Sequence, residues 1–247
     1  MTVRIGVVVF PGSNRDVDAR NALEVAGAEP VELWHEQANL EGVAGVVLPG
    51  GFAYGDYLRA GALARFSPVM RAVSAFAADG GHVLGICNGF QVLAEAGLVP
   101  GALLRNRSLR FVCRMVAIAP ERLDTSFTHR LADSGPLRIP VAHGEGCYYA
   151  DDATLDALER DGRVLFRYVG EDGTPARPGD PANPNGSLRA IAGVTNAAGN
   201  VAGLMPHPET AVEGILGSDD GLGIIRSLVE SAAARVSARQ PAAVGAR

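Results

Sequence analysis

Residues 82–90 read HVLGICNGF, and this stretch decides the fold because one sharp turn joins an apolar strand to a helix-like segment. The turn places Cys87 between Gly85 and Gly89. A strained turn of this kind points its central side chain out of the edge of a sheet, and a Cβ atom on either side would collide with the neighbouring strand or helix. The thiolate is a strong nucleophile that the N-terminus of the following helix favours. The alternative is a buried structural cysteine beside packing glycines.

Strands and helices alternate on the N-terminal side of this turn. The pattern predicts a nearly continuous apolar strand over residues 3–10, which is typical of a buried parallel strand. We further predict a helix to about residue 26, capped by Ser13 or Asn14, strands over 30–34 and 45–48, and a helix from Pro68 to about residue 79. The sequence therefore predicts an α/β fold with a doubly wound, mostly parallel sheet. In such sheets sites lie at the carboxyl ends of strands, where Gly50, Gly51 and Cys87 are placed.

The second half of the chain carries weaker patterns. Strands are predicted over 111–119, 164–168 and 188–195, and we expect them to extend the sheet with antiparallel pairings. The segment 171–187 is rich in Gly, Pro, Asn and Asp, which indicates a functional or mobile loop. Apolar residues between 222 and 232 predict a terminal amphipathic helix. We expect one domain over residues 1–236 and a disordered tail over 237–247.

Composition limits the classes of function. At 247 residues and 47% hydrophobic content, the chain can bury a full core. Its formal net charge of −5 argues against nucleic acid or an anionic membrane as a partner. Apolar runs are too short to span a bilayer, and three cysteines fit a reducing compartment, so we expect a cytoplasmic protein. The chain has no lysine, which excludes a Walker A loop and Schiff-base chemistry.

A candidate partner for Cys87 lies far along the chain. The apolar run 201–205 ends in Pro206-His207-Pro208-Glu209. The two prolines stiffen the loop, and Glu209 is close enough to orient one ring nitrogen of His207 and leave the other for Cys87. By itself this segment also fits a helix-start loop with an incidental histidine. The combination with the cysteine turn favours a catalytic pair.

These motifs resemble those of the triad-type, or class I, glutamine amidotransferases. The segments 49–61, 141–146 and 183–187 further resemble the glutaminase subunits of phosphoribosylformylglycinamidine synthases. The resemblance covers residues 3 to about 209 and implies a flavodoxin-like amidotransferase domain. Thr210 departs from the family pattern, which usually has arginine after the glutamate. The resemblance implies the following site residues: Cys87, His207 and Glu209 as the catalytic triad, and Gly50, Gly51, Asn88 and Gln91 for the oxyanion and the substrate.

The implied activity is the hydrolysis of glutamine through a cysteinyl thioester. The ammonia would pass to an ATP-dependent synthase subunit in de novo purine biosynthesis, with a small third subunit in the same complex. ATP and Mg²⁺ would bind to the synthase subunit, so no cofactor or metal is expected in this chain. Two rival classes are a thiol hydrolase or stress protein of the related cysteine superfamily, and a catalytically silent interaction subunit.

The sequence gives weaker evidence of a functional role for the remaining histidines, cysteines and arginines. His143 is the strongest rival base, although the resemblance assigns the segment 143–146 to substrate contact or subunit packing. Cys113 and Cys147 are predicted to be structural, with Cys113 in the core. No role is assigned to His35, His82 or His129. The cluster at 105–110, with Arg105, Arg107 and Arg110, predicts a solvated face that is also available to a partner.

Overall fold

Nine strands of the described residues form one mixed sheet with helices packed against it. The computed structural model describes residues 2–131, 135–177 and 179–239. The strands are β1 (Arg4–Val9), β2 (Glu29–Trp34), β3 (Gly45–Leu48), β4 (His82–Ile86), β5 (Ala102–Leu104), β6 (Val112–Pro120), β7 (Leu137–His143), β8 (Cys147–Tyr149), β9 (Val164–Val169), β10 (Ile191–Thr195) and β11 (Val201–Leu204). The helices are α1 (Asp16–Val25), α2 (Pro68–Ala78), α3 (Asn88–Glu95), α4 (Asp152–Arg160) and α5 (Leu222–Arg239).

The strand order of the large sheet is β2-β1-β3-β4-β11-β10-β9-β6-β7, and β5 pairs with β8 in a separate ribbon. The pairings from β2 to β11 are parallel, and those from β11 to β7 are antiparallel. Strands β3 and β11 are buried throughout, as expected for parallel strands at the centre of a covered sheet. This arrangement confirms the predicted α/β fold class with added antiparallel strands.

The first half follows the sequence prediction closely, except at the start of α1. The strands and α2 lie near their predicted bounds, with Pro68 at the first position of α2. Helix α1 begins at Asp16, and its N-cap position is Arg15, which makes no side-chain capping bond. The predicted capping by Ser13 or Asn14 is therefore wrong. Ser13 instead accepts a hydrogen bond from the Phe10 backbone N–H at 3.0 Å and so closes the turn after β1.

The second half departs further from the prediction. The strand predicted over 188–195 begins only at Ile191, because Arg189 and Ala190 have positive φ angles and the chain forms a 3-10 turn there. The pattern also missed β5, β7, β8 and α4. Helix α4 has a regular N-cap, since the Asp151 carboxylate accepts a hydrogen bond from the Thr154 backbone N–H at 2.7 Å.

The C-terminal helix is longer than predicted. Helix α5 continues through Arg239, so the expected boundary at residue 236 falls inside a helix. The remaining residues of the predicted tail, 240–247, lie outside the described residues. Within the described parts of the chain, no helix is both long and apolar enough to cross a bilayer.

Candidate active site

Cys87 occupies the sharp turn between β4 and α3. Its backbone has φ 50° and ψ −104°, a strained conformation for a residue with a side chain. The neighbouring glycines are required by space, because a Cβ atom on Gly89 would lie 1.9 Å from the Leu48 carbonyl oxygen and one on Gly85 would lie 2.6 Å from the Gly89 carbonyl oxygen. The thiol group therefore sits at the N-terminus of α3, where the helix dipole favours a negative charge.

His207 and Glu209 lie beside this turn because β11 is the parallel neighbour of β4. Leu204 pairs with Ile86, so both strands leave the sheet at the same edge. His207 Nδ1 donates a hydrogen bond to Glu209 Oε1 at 2.6 Å, and both side chains are buried. Thr210 donates its hydroxyl hydrogen to the His207 carbonyl at 3.1 Å. The loop after β11 therefore fixes the orientation of the imidazole ring.

The charges around His207 favour its protonated form. Burial lowers the pKa of this imidazole, but the Glu209 carboxylate and the nearby Cys87 side chain outweigh burial and raise the pKa above its ordinary value. His207 Nε2 is buried and has no hydrogen-bond partner among the described residues. The ring can therefore exchange a proton with a group that enters the cavity.

A cavity of about 410 Å³ opens at this edge of the sheet. Cys87, His207, Gly51 and Gln91 line it, which brings residues from three predicted motifs together. Glu209 is connected to this cavity only by its hydrogen bond to His207. Its own side chain lines a neighbouring cavity. The site is large enough for an amino acid side chain and its main-chain groups.

Gly50 and Gly51 lie in the loop after β3, and Asn88 follows Cys87 directly. A Cβ atom on Gly50 would lie 2.8 Å from His207 Cε1, and one on Gly51 would lie 2.9 Å from Ser13 Cα. The absence of a side chain at Gly50 lets this loop approach His207, and its absence at Gly51 lets the loop approach the turn after β1. Asn88 is the first residue of α3, so its backbone N–H has no partner within the helix. Such N–H groups are suited to hold an oxyanion.

The side chains of Asn88 and Gln91 form hydrogen bonds that connect the segments around the cavity. Asn88 Oδ1 accepts a hydrogen bond from the Ala53 N–H at 3.0 Å, and its Nδ2 donates to Gln91 Oε1 at 2.9 Å. Gln91 Nε2 in turn donates to the Glu145 carbonyl at 2.6 Å. The oxygen and one N–H of Gln91 are therefore engaged by the protein, which leaves one N–H for a substrate.

The rival base, His143, also lines the cavity, but its electrostatics are unfavourable for that role. Burial, with a smaller effect of the charge on His207, lowers the pKa of His143 to about 3. Its Nε2 accepts a hydrogen bond from Asn185 Nδ2 at 3.1 Å, so this nitrogen is occupied. A neutral ring with its acceptor engaged is a poor proton acceptor. The geometry therefore favours His207 over His143 as the base.

Sequence reasoning missed the asparagines that hold the segment 143–146. Asn106 Nδ2 donates to the His143 carbonyl at 2.8 Å, and Asn106 Oδ1 accepts from the Gly146 N–H at 3.0 Å. Asn185 bonds to His143 and also donates to the Tyr168 hydroxyl at 3.0 Å. The Asn-Pro-Asn-Gly-Ser segment within the predicted loop was a signal for such a role, whereas nothing in the sequence around Asn106 pointed to one.

The two other cysteines differ from each other. Cys113 is exposed, so its predicted place in the core is wrong. It lies in a part of β6 that pairs with β7 but not with β9. The pairing between β6 and β9 begins only at Ala117. Cys147 is half-buried and donates to the Gly186 carbonyl at 3.2 Å; burial raises the pKa of this thiol despite the opposing effect of Arg107. The raised pKa makes Cys147 a poor nucleophile.

Comparison with known proteins identifies the family. The profile of the CobB/CobQ-like glutamine amidotransferase domain matches residues 2–219. The chain belongs to this glutamine amidotransferase family. The PurQ subunit of phosphoribosylformylglycinamidine synthase from Rubrobacter xylanophilus is 58% identical to this amidotransferase over 230 residues, which cover 93% of the chain and 99% of the relative. The PurQ subunit from Salinibacter ruber is 56% identical over 230 residues, which cover 93% of the chain and 97% of the relative.

Solved structures agree with this assignment. One chain in the structure of PurLQS from Thermotoga maritima superposes on the amidotransferase with a TM-score of 0.80 at 42% identity, covering 93% of this chain and 99% of that chain. A putative GMP synthase component from Thermoplasma acidophilum gives a TM-score of 0.63 at 14% identity, covering 97% of this chain and 98% of that one, and shows the fold alone. The resemblance stated from the sequence motifs is thus confirmed.

Proposed function

We propose that this amidotransferase is the glutaminase subunit of a phosphoribosylformylglycinamidine synthase. It hydrolyses glutamine and passes ammonia to a synthase subunit in purine biosynthesis. The observation that carries the proposal is the meeting of Cys87 with the His207–Glu209 pair at one edge of the sheet, in a chain more than half identical to PurQ subunits. The cytoplasmic location stays a prediction of the composition.

The proposed mechanism begins with attack of the Cys87 thiolate on the side-chain amide carbon of glutamine. The C–N bond breaks as protonated His207 gives its proton to the departing ammonia, which leaves a γ-glutamyl thioester. His207 then takes a proton from the water that hydrolyses the thioester. Glu209 orients the ring and stabilises its positive charge, a role that the 2.6 Å hydrogen bond and the raised pKa of His207 support.

Backbone donors stabilise the oxyanion in this mechanism. We assign the N–H groups of Gly51 and Asn88 to this role, because Gly51 lines the cavity and Asn88 starts α3 directly after the nucleophile. Such donors are fixed before the reaction begins, and loss of one typically costs about 3 kcal/mol of transition-state stabilisation. Gly50 provides the close approach between this loop and His207.

The ammonia requires an acceptor that another protein supplies. The proposal places ATP and Mg²⁺ on the synthase subunit, and a small third subunit completes the complex, as the name PurLQS of the Thermotoga maritima relative suggests. Support in this chain comes from exposed apolar side chains in two segments that reach the cavity. Phe52 and Phe111 line the cavity, and Tyr57, Leu58 and Leu109 are exposed in the same two segments; we call these five residues the apolar rim. Exposed apolar clusters commonly mark contact with a partner.

The experiment is a pair of cysteine variants measured in the complex with the synthase subunit. Cys87→Ser should abolish glutamine-dependent synthesis, while ammonium salts still support synthesis by the partner. Cys113→Ser is the matched control, because Cys113 is exposed in the same cavity and should keep glutamine-dependent activity near wild type. Retained glutamine-dependent turnover in Cys87→Ser would refute the proposed function.

A further inference from the structure

The segment that joins β3 to α2 is strained at three residues that carry side chains. Tyr54, Asp56 and Leu58 have φ angles of 55°, 53° and 68°, in the left-handed region that favours glycine. Such conformations are costly and persist where the surrounding structure determines them. The segment begins at Gly51, which lines the catalytic cavity, and it contains Tyr57 and Leu58 of the apolar rim. Contacts elsewhere in the chain must therefore hold this conformation.

The Tyr54 side chain makes such contacts. Its hydroxyl forms hydrogen bonds with His35 Nδ1 at 2.7 Å and with Ser67 Oγ at 2.9 Å, and both partners are buried. His35 is itself fixed, because its N–H donates to the Val9 carbonyl at 3.0 Å and its carbonyl accepts from the Val69 N–H at 3.1 Å. A phenolic hydroxyl can donate one hydrogen bond and accept another, so both bonds can form at once. These two bonds, which we call the Tyr54 anchor, join the strained segment to the end of β2 and the start of α2.

Ser67 uses its hydroxyl for this anchor and not for the helix that it precedes. It occupies the N-cap position of α2, where serine ordinarily accepts a hydrogen bond from a backbone N–H of the first turn. No such side-chain bond forms here, and Ser67 Oγ bonds to Tyr54 instead. The anchor therefore takes the place of a stabilising helix cap, which is an observation independent of the strain at Tyr54.

Tyr54 lies three residues after Gly51, and hydrogen bonds hold the chain between them. The N–H groups of Tyr54 and Phe52 donate to carbonyls of the turn after β1 at 2.6 and 3.0 Å, and the Ala53 N–H donates to Asn88 Oδ1 at 3.0 Å. The Gly51 N–H, in contrast, has no acceptor among the described residues. This N–H is therefore left for an oxyanion, and its direction depends on the fixed residues that follow it.

We propose that Tyr54 is a positioning residue for the oxyanion-binding N–H of Gly51. The Tyr54 anchor keeps the strained segment in the conformation in which Gly51 lines the cavity beside Cys87. Tyr54 does not line that cavity, so it acts through Gly51 and not on the substrate. The inference rests on the proposed function, because it assigns Tyr54 to the stabilisation of the oxyanion that forms on the way to the thioester.

Removal of single hydroxyl groups tests this role in the complex with the synthase subunit. Tyr54→Phe removes the anchor and keeps the ring, and Ser67→Ala removes one partner of Tyr54 without the loss of a helix cap. Because a donor that acts only in the transition state changes kcat and not KM, kcat for glutamine should fall about 10- to 100-fold in Tyr54→Phe and about 3- to 10-fold in Ser67→Ala, with KM changed less than about threefold. Tyr149→Phe is the matched control and should match wild type, because Tyr149 is 50% exposed on β8 and takes no part in the anchor.

Alkylation of Cys87 separates a role in the oxyanion site from a general role in the fold. Iodoacetamide reacts when the thiolate displaces iodide, which forms no oxyanion, so the rate at Cys87 should stay within about twofold of wild type in every variant. The double variant of Tyr54→Phe and Ser67→Ala should lose no more activity than Tyr54→Phe alone, because both substitutions act through one hydroxyl. Sedimentation of each complex checks that the chains assemble.

A wild-type kcat in the assembled Tyr54→Phe complex would overturn the inference, and where that variant does not assemble, a wild-type kcat in Ser67→Ala would overturn it. An alkylation rate that falls as much as kcat would also overturn it and assign Tyr54 to the fold around Cys87. Additive losses in the double variant would have the same consequence. A wild-type complex that does not hydrolyse glutamine, while ammonium supports synthesis, would instead refute the proposed function, so the two failures are distinguishable.

Discussion

At the scale of single residues, Cys87 shows how a strained backbone is stabilised by its surroundings. Its positive φ angle is held by the hydrogen bond from its N–H to the Leu204 carbonyl at 2.8 Å and by the close packing of Gly85 and Gly89. Non-glycine residues in such conformations cost about 1–3 kcal/mol and persist where the structure around them is well determined. The strain presents the sulfur at the edge of the sheet, where His207 can reach it.

The roles of His207 and Glu209 predict different losses. His207→Asn removes the proton carrier of both half-reactions and should lower kcat by about 10²–10⁴-fold. Glu209→Gln keeps an oxygen for the ring and should retain more activity. His143→Asn should lose least of the three, because the pKa of His143 is already lowered to about 3. Measurement of kcat at saturating glutamine decides the order, and a larger loss in His143→Asn than in His207→Asn would reverse the assignment.

The lowered pKa of His143 predicts an acid-sensitive fold. The folded state keeps this ring neutral, whereas in the unfolded chain it takes up a proton near its ordinary pKa of 6.5. Stability from this group is therefore fully present above pH 6.5 and is lost as the pH falls toward about 3, by about 1.4 kcal/mol per pH unit at most. Urea unfolding should show that the free energy of unfolding decreases less between pH 7 and pH 5 for His143→Gln than for wild type. Equal decreases would contradict the shift.

At the scale of elements, the packing of α3 against β3 places the nucleophile. Gly89 faces the Leu48 carbonyl so closely that any side chain must push the helix away from the sheet. Gly89→Ala should therefore destabilise the fold by about 1–3 kcal/mol and reduce glutamine hydrolysis by displacing Cys87. Gly214→Ala is the control, since a Cβ atom there meets nothing within 4 Å and the change should stay within about 0.5 kcal/mol. Denaturant unfolding that ranks the two variants equally would be inconsistent with this packing.

The elements also show what the sequence can predict. The turn at Cys87 was predictable because both of its glycines lie within two residues of the cysteine in the sequence. Strand β7 was missed because Pro140 interrupts its pattern, yet β7 is an edge strand, where proline is tolerated. The asparagine network at Asn106 and Asn185 was missed because it joins segments that are distant in sequence. Long-range hydrogen bonds of this kind leave no periodic pattern.

At the scale of the whole molecule, two members of the apolar rim lie at the cavity that Cys87 and His207 line. Phe52 and Phe111 line the cavity, and Tyr57, Leu58 and Leu109 extend the rim from the same two segments. Leu58 and Leu109 have positive φ angles, and these residues are 85% and 79% exposed. Their exposure is costly for a chain without a partner, which supports docking of the synthase subunit over the cavity.

Docking on the apolar rim predicts a loss of assembly from polar substitutions. The double variant Leu58→Ser and Leu109→Ser should weaken binding to the synthase subunit at least about tenfold, measured by sedimentation or calorimetry, because two buried leucines contribute a few kcal/mol. Leu123→Ser, which changes an exposed leucine in the segment after β6, should bind as wild type does. Unchanged affinity in the double variant would place the interface elsewhere.

The central claim is that glutamine is hydrolysed through a thioester on Cys87. The most direct measurement is intact-mass and peptide analysis of the His207→Asn chain, in complex with the synthase subunit, after rapid acid quench from glutamine. When the loss of His207 slows hydrolysis of the thioester more than its formation, a glutamyl group accumulates on the peptide that contains Cys87, and this is the result we predict. A glutamyl group on Cys113 or Cys147, or glutamine-dependent synthesis at the wild-type rate with no modified cysteine, would contradict the account.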